Sequence, residues 1–495
     1  MTPPVGTLCV VLHTHLPWLA RHGTWPVGEE WLHQAWAQSY LPLLSMLHRL
    51  RREGRRDLLT LGLTPVLAAQ LDDPYLLREH HLWLGRWRLR AEELAARHEL
   101  RGLAGHEFRA ARDALGVFER HWRHGGAAAL RPLLDEGTVE LLGGPATHPV
   151  LPLLPDPVAR LAMRAGLDDT AVRTGRRPGG AWTPECAVSP DLPALLSAEG
   201  VTHTLVDEPT LRAAGGSTDR VWLAGELAVL GRDLELTDRV WSARTGYPRG
   251  ADYRDFHTAD VGSGVRHLSV TDPGGGAKRP YDPAAAAARA RHDAADFVSA
   301  VRARLARRAA AGERPLAVVA WDTELFGHWW HEGPLFLEHV LRMLPEAGVR
   351  PATLARVTEE QRAQAGRVVL PTGSWGSGKD LRLWSEGPAA RLADETRQVS
   401  GRLLDVARRT AHPGRGRSRR LDALAREALL ALSSDWAFMV SRDSAASYAL
   451  DRHAGHVTAF HLQADALLAG PVAGDIPADC GGNLVVPHLD SRVLR

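Results

Sequence analysis

The stretch Leu316–Pro334 reads LAVVAWDTELFGHWWHEGP. An apolar run, Leu316–Ala320, passes through Trp321 into two acids, Asp322 and Glu324. His328, Trp329, Trp330 and His331 follow at once. A short unbroken apolar run is the mark of a strand buried on both faces, as in parallel sheets covered by helices. Side chains alternate along a strand, so Asp322 and Glu324 leave it on the same side. Acids at the C-terminal end of a buried strand fit an α/β barrel, where chemistry sits at those ends.

Working outward, five more runs share the pattern: LCVVLHTH (8–15), DLLTLGLTP (57–65), TVELLGG (138–144), GAWTPE (180–185) and VTHTLVDE (201–208). Helix-periodic stretches lie between many of them, for example PDLPALLSAEG (190–200) and AAAAARARHDAADFVSAVRARLARRAAA (284–311). This alternation predicts an α/β fold, either a barrel or a doubly wound sheet. His13, His15, Glu185 and Asp322 all fall at predicted strand ends. Residues 75–135 are long, charged and helix-periodic, a helical insertion between two strands. From about residue 386 the chain turns helical again. We therefore expect a catalytic unit over 1–370 and a mainly helical domain over 371–495 that contributes to the cleft.

The totals exclude several classes. A net charge of +2 provides no field to hold a polyanion, so no nucleic-acid partner is expected. No stretch approaches the roughly 18 apolar residues of a membrane span. The three cysteines, Cys9, Cys186 and Cys480, lack metal-type spacing and cannot all pair, which fits a reducing cytoplasm. The N-terminal stretch has no basic region ahead of its apolar run and does not read as a signal peptide. The basic segment HPGRGRSRR (412–420) reads as a solvated loop. Oligomeric state is left open.

Each candidate site has a plain structural reading beside a chemical one. His13 and His15 share one side of a strand end, suited to hydrogen-bonding a polar ligand or, less completely, to holding a metal. Glu185 stands among Trp182, Pro184, Cys186 and Ala187, a poor setting for a surface charge. Burial there would raise its pKa and suit it to catalysis. Asp322 and Glu324 could cap a helix and form a salt bridge. Alternatively, Glu185 and Asp322, from different strands, suit glycosidic bond cleavage by an attacking carboxylate and a proton donor. The tryptophans of SWGSGKDLRLW (Trp375, Trp384) and of LSSDWAFMV (Trp436, beside Asp435) are either core packing or flat platforms for sugar rings.

Together these segments resemble glycoside hydrolase family 57, and within it the 1,4-α-glucan branching enzymes. HTHLPW resembles the family's first region, ELLGGPATHPVLPLL (140–154) the second, with His148, and WTPECA the third. WDTELFGHWWHEGP resembles the fourth. SWGSGKDLRLW and SSDWAF resemble later segments that supply tryptophan and aspartate to the substrate. VWSARTGYPRGADYRDF (240–256) resembles another, with Arg254 a substrate contact. The resemblance implies an incomplete (β/α)7 barrel with a helical insertion and a C-terminal helical domain, acting without metal or other cofactor on an α-glucan. It makes Glu185 the nucleophile and Asp322 the general acid/base. His13, His15, His148, Trp182, Arg254, Glu324, His328, Trp329, Trp375, Trp384, Asp435 and Trp436 would then bind substrate. The chain departs from the family at Val188, where a tyrosine is usual, and at Ser444, where glutamine is expected. It also has no tyrosine between Glu185 and Tyr247, where branching members carry a tyrosine-bearing loop that shields the intermediate from water. The alternatives are an α-glucan hydrolase with weak transfer, a metal-dependent hydrolase or deacetylase built on His13 and His15, and a non-catalytic glucan-binding protein.

Overall fold

Alternation along two neighbouring strands sets up the interior. In strand β1 (Gly6–Thr14), Cys9 and Val11 face one cluster, while Leu8, Val10 and Leu12 face another. In β8 (Leu316–Asp322), Leu316, Val318 and Ala320 join the first cluster, and Ala317, Val319 and Trp321 the second. The first cluster fills a barrel and the second packs the barrel against its helices. The two strands run parallel in register, His13 opposite Asp322, so the same alternation delivers both side chains to the barrel mouth. Each fully buried aliphatic side chain here contributes about 1.5–3 kcal/mol of transfer free energy.

The computed structural model describes residues 4–260, 263–271, 275–410, 416–469 and 485–494. Cys480, residues 1–3 of the N-terminal stretch and residues 412–415 of the basic segment lie outside the described residues. The remaining strands are β2 (Leu59–Leu63), β3 (Val139–Leu142), β4 (Gly180–Ala181), β5 (His203–Val206), β6 (Trp222–Ala224), β7 (Leu227–Gly231), β9 (Val349–Ala352) and β10 (Gly366–Arg367). One sheet runs β3-β2-β1-β8, with β9 paired to the start of β1; the other runs β10-β6-β7-β5-β4. A parallel bridge from Gly143 to Ala181 joins them at one seam. At the other, the Asp233 amide donates to the Val318 carbonyl at 2.7 Å. Seven parallel strands (β8, β1, β2, β3, β4, β5, β7) thus curl around the interior, as the incomplete (β/α)7 barrel requires.

The strand runs expected over 180–185 and 201–208 are shorter, at Gly180–Ala181 and His203–Val206. The β6–β7 hairpin was not anticipated from the sequence, nor were β9 and β10. Between β2 and β3 lie the long helices Pro74–Leu94 and Arg101–His121. After β10 come the helices Ala390–Thr410, Arg419–Ala431, Ser434–Ser441 and Ala446–Leu468, which pack on one another. They meet the barrel at its mouth: Pro149 bridges Ser433, and the Ser434 amide donates to the His148 carbonyl at 3.0 Å. Among the described residues no helix is long and apolar enough to cross a membrane.

Candidate active site

Seven strand ends surround the barrel mouth, and the polar residues gather there. β1 supplies His13 and then His15; the turn after β3 supplies His148; β4 leads through Trp182 to Glu185; β7 leads to Arg232; β8 ends on Asp322. Glu185 and His148 both adopt left-handed backbone, at φ 62° and 63°. Side chains larger than glycine seldom adopt that conformation, and it costs about 1–3 kcal/mol where the surroundings enforce it. Both strained residues stand at the mouth, opposite the helical domain.

The Glu185 carboxylate is 9% exposed and held at both oxygens. Oε1 accepts from the Ser434 hydroxyl at 2.8 Å, and Oε2 accepts from the Trp375 indole N–H at 3.0 Å. Burial raises its pKa; the bonds from Trp375 and Ser434 pull the other way. Asp322 is pushed well above the usual carboxylate range by burial, and then by the charges of Glu324 and Glu185. Arg232 is the group that opposes this. Among the described residues Asp322 receives no hydrogen bond to favour its ionised form. The surroundings therefore raise both acids, Asp322 the more strongly, since it lacks the donors that hold Glu185.

The imidazoles form a directed chain. Because Ser434 donates to Glu185, its oxygen accepts from His148 Nδ1, 2.9 Å away. Neutral His148 then carries its lone pair on Nε2, which accepts from His13 Nε2 at 3.0 Å. His13 Nδ1 is left buried without a partner among the described residues. Burial lowers the pKa of both His13 and His148, and neighbouring His15 lowers them further. His15 differs. Burial works against its charge, but Asp435, with Nε2 2.9 Å from Oδ2, raises its pKa overall. Its Nδ1 lies 3.0 Å from the Thr64 hydroxyl.

Glu324 is 3% exposed and faces its neighbours, not open space. Its Oε1 accepts from the Tyr40 hydroxyl at 2.6 Å and the His15 amide at 3.2 Å, and burial lifts its pKa to about 7. Trp182 stacks on His13 at 4.4 Å and meets Trp375 edge-on at 5.0 Å. Trp375 is braced by the Arg232 guanidinium 5.3 Å from its ring, and Arg232 is paired with Asp207 at 2.8 Å.

His13, His15, His148, Trp182, Glu185, Asp322, Glu324, Trp375 and Asp435 therefore come together. Five expected binding residues, Trp384, Trp436, Arg254, His328 and Trp329, do not join them. Trp384 and Trp436 are 2% and 1% exposed, packed into a core with Val150, Leu392 and Met439, so neither presents a ring face to a sugar. Arg254 is committed to Glu107 at 2.8 Å and to the Arg266 carbonyl at 2.7 Å, since a buried guanidinium demands acceptors. His328 is likewise away from the acids: with Arg254 and the half-exposed Trp329 it lines a separate cavity of about 290 Å³. Sequence reasoning missed Ser434, Arg232, Tyr40 and Thr64. Arg232 had a signal: LAVLGRD (227–233) repeats the apolar-then-charged pattern of LAVVAWD.

His15, His148 and Asp435 place one ligand-type atom each within 4.8 Å of one another. The geometry does not fit a shared ion. The two rings stack at 3.8 Å with planes 18° apart, so their in-plane lone pairs run nearly parallel. Both nitrogens of His148 are already in hydrogen bonds.

An inward-facing carboxylate pair under an aromatic wall, at the C-terminal rim of a parallel barrel, defines an enzyme of the glycoside-cleaving class. The sequence profile of glycosyl hydrolase family 57 matches residues 9–371, and that of the 1,4-alpha-glucan branching enzyme C-terminal region matches 395–481. The chain belongs to glycosyl hydrolase family 57. It is 46% identical, over 95% of its length and 94% of the other's, to a protein of Mycobacterium tuberculosis named as a probable 1,4-alpha-glucan branching enzyme. A 1,4-alpha-glucan branching enzyme of Thermococcus kodakarensis is 33% identical over 94% of this chain and 74% of that one. The crystal structure of a branching enzyme of the same family from Pyrococcus horikoshii superposes with a TM-score of 0.88 at 32% identity, covering 94% and 90% of the two chains.

Proposed function

We propose that the protein is a retaining α-glucan enzyme acting as a 1,4-α-glucan branching enzyme. The observation that carries the mechanism is the asymmetry of the two acids: both oxygens of Glu185 are held by donors, and Asp322 has none among the described residues. Asp322 protonates the glycosidic oxygen as the C1–O4 bond breaks, and a Glu185 oxygen bonds C1 to give a glycosyl ester. The 6-hydroxyl of a second glucan then attacks C1. Its proton passes to Asp322, and Glu185 leaves as carboxylate. Trp375, Trp182 and the His15–Asp435 pair frame the bound sugar. We take residues 1–370 as the catalytic unit and 371–495 as a domain completing its cleft. The activity fits a cytoplasmic role in building a glycogen-like α-glucan.

A second reading, hydrolysis with weak transfer, is favoured by the missing tyrosine between Glu185 and Tyr247, because water exclusion decides between the two outcomes. Incubation with amylose separates them. New α-1,6 branch points without new reducing ends support branching, and reducing ends alone defeat it. Activity should persist in chelator. Its loss, with restoration by zinc, would revive the metal-dependent alternative.

A further inference from the structure

The cavity of about 290 Å³ that holds Trp329 is close to the lower bound of small-ligand pockets, roughly 300 Å³. Its wall is built by five segments: the first helical turns after β1, the two insertion helices, the loop carrying Arg254 and Arg266, and the loop that follows Asp322. Flat aromatic faces are present at Trp87 and Trp329. The acids of the wall are already engaged. Glu107 takes Arg254 and the Trp87 N–H, and Glu30 takes the Trp83 N–H and the Gln34 amide. The donors are in surplus. Arg266 spends Nε on the Phe256 carbonyl, lies 4.5 Å over the Phe256 ring and has a 3.5 Å contact to Gln34 besides; Arg90 lies over Trp83. Neither arginine has a carboxylate partner among the described residues. Aromatic faces beside spare donors suit a ligand with apolar C–H faces and many oxygen acceptors, which is a sugar chain.

The cavity is tied to the proton donor and not to the nucleophile. Gln38 lines it, and the next two residues hold the acid's loop: the Ser39 hydroxyl donates to the Thr323 carbonyl at 2.9 Å, and Tyr40 to Glu324. In a retaining mechanism the leaving chain departs, and the next acceptor arrives, on the side of the acid/base. We propose that this cavity is the acceptor-chain site, in which the helical insertion, through Trp87 and Arg90, grips an α-1,4-glucan oligosaccharide while its 6-hydroxyl is presented to C1. The inference rests on the proposed function. It also gives the insertion a task, holding the acceptor where water would otherwise compete.

The test uses the full-length protein with amylose as donor and a fluorescently end-labelled maltooligosaccharide as acceptor. The transfer-to-hydrolysis ratio is read as label incorporated per reducing end formed. Two variants are compared with wild type: Arg90→Ala, which removes a donor, and Ala259→Trp, which fills the space from an exposed lining position. Thermal unfolding confirms that each is folded. The expected result is a fall of about tenfold in the ratio for both, the cost of one good contact. An unchanged ratio in both folded variants overturns the acceptor site while the proposed function stands. A wild type that neither transfers nor hydrolyses overturns the proposed function, and this site with it.

Discussion

Ser434 lowers the pKa of Glu185, the proposed nucleophile, which burial raises, so its removal has a signed consequence. Glu185 must be ionised to attack. In Ser434→Ala its pKa rises, and the acid limb of kcat/KM moves to higher pH. The loss at the optimum should approach a charge-assisted hydrogen bond, about 1.5–3 kcal/mol, with KM little changed. Ser434→Thr restores the limb if the hydroxyl is what matters. Glu324 acts on the other acid. It raises the pKa of Asp322 by its charge and is itself near 7. As the proposed proton donor Asp322 must be protonated for bond cleavage, so Glu324→Gln lowers its pKa and the alkaline limb moves to lower pH. A pH–rate profile on a maltooligosaccharide reads both shifts, and unmoved limbs would sink the assignment. Asp322→Asn should cost at least about a hundredfold in rate.

The loop after β8 is pinned by a glycine. Gly327 has φ 113°, and a methyl group there would lie 1.8 Å from the Gln38 carbonyl oxygen. Gly327→Ala should therefore destabilise the protein by about 1–3 kcal/mol through overpacking alone, and slow catalysis because the acid's loop must shift. Denaturant unfolding with parallel rate measurement checks both. This close approach had no signature in the sequence, since contact between a loop and a helix far apart in the chain leaves no periodic mark. β1 and β8 were legible because a doubly buried strand announces itself as an apolar run. β4 was legible in place but not in length, because a two-residue strand ends where its pairing with neighbours ends. The burial of Glu185 was readable from its neighbours Trp182, Pro184, Cys186 and Ala187. Trp384 and Trp436 misled because a tryptophan beside polar residues looks alike whether it packs a domain or faces a sugar. Ser434 escaped notice because a serine gains meaning only from the oxygen it reaches, here 249 residues away.

At the scale of the molecule, the last described residues fasten the helical domain. Val485, Val486 and Leu489 are fully buried, and the Ser491 amide and hydroxyl both donate to Asp422 Oδ1, at 2.8 and 2.6 Å. Removing residues 485–495 should lower the melting temperature and, by loosening the domain that carries Ser434 and Asp435, reduce activity as well. Full activity in a truncated protein with a lowered melting temperature would show that the fastening serves stability alone. The tail's apolar residues are too few to make a periodic pattern and count only through what they touch.

Glu185 draws on two parts of the chain: the barrel provides its carboxylate, and the helical domain that follows provides the Ser434 hydroxyl it accepts from and the neighbouring Asp435. A chain cut after the barrel would keep both carboxylates and lose that hydroxyl, so under the proposed function it should be silent towards any glucan it meets.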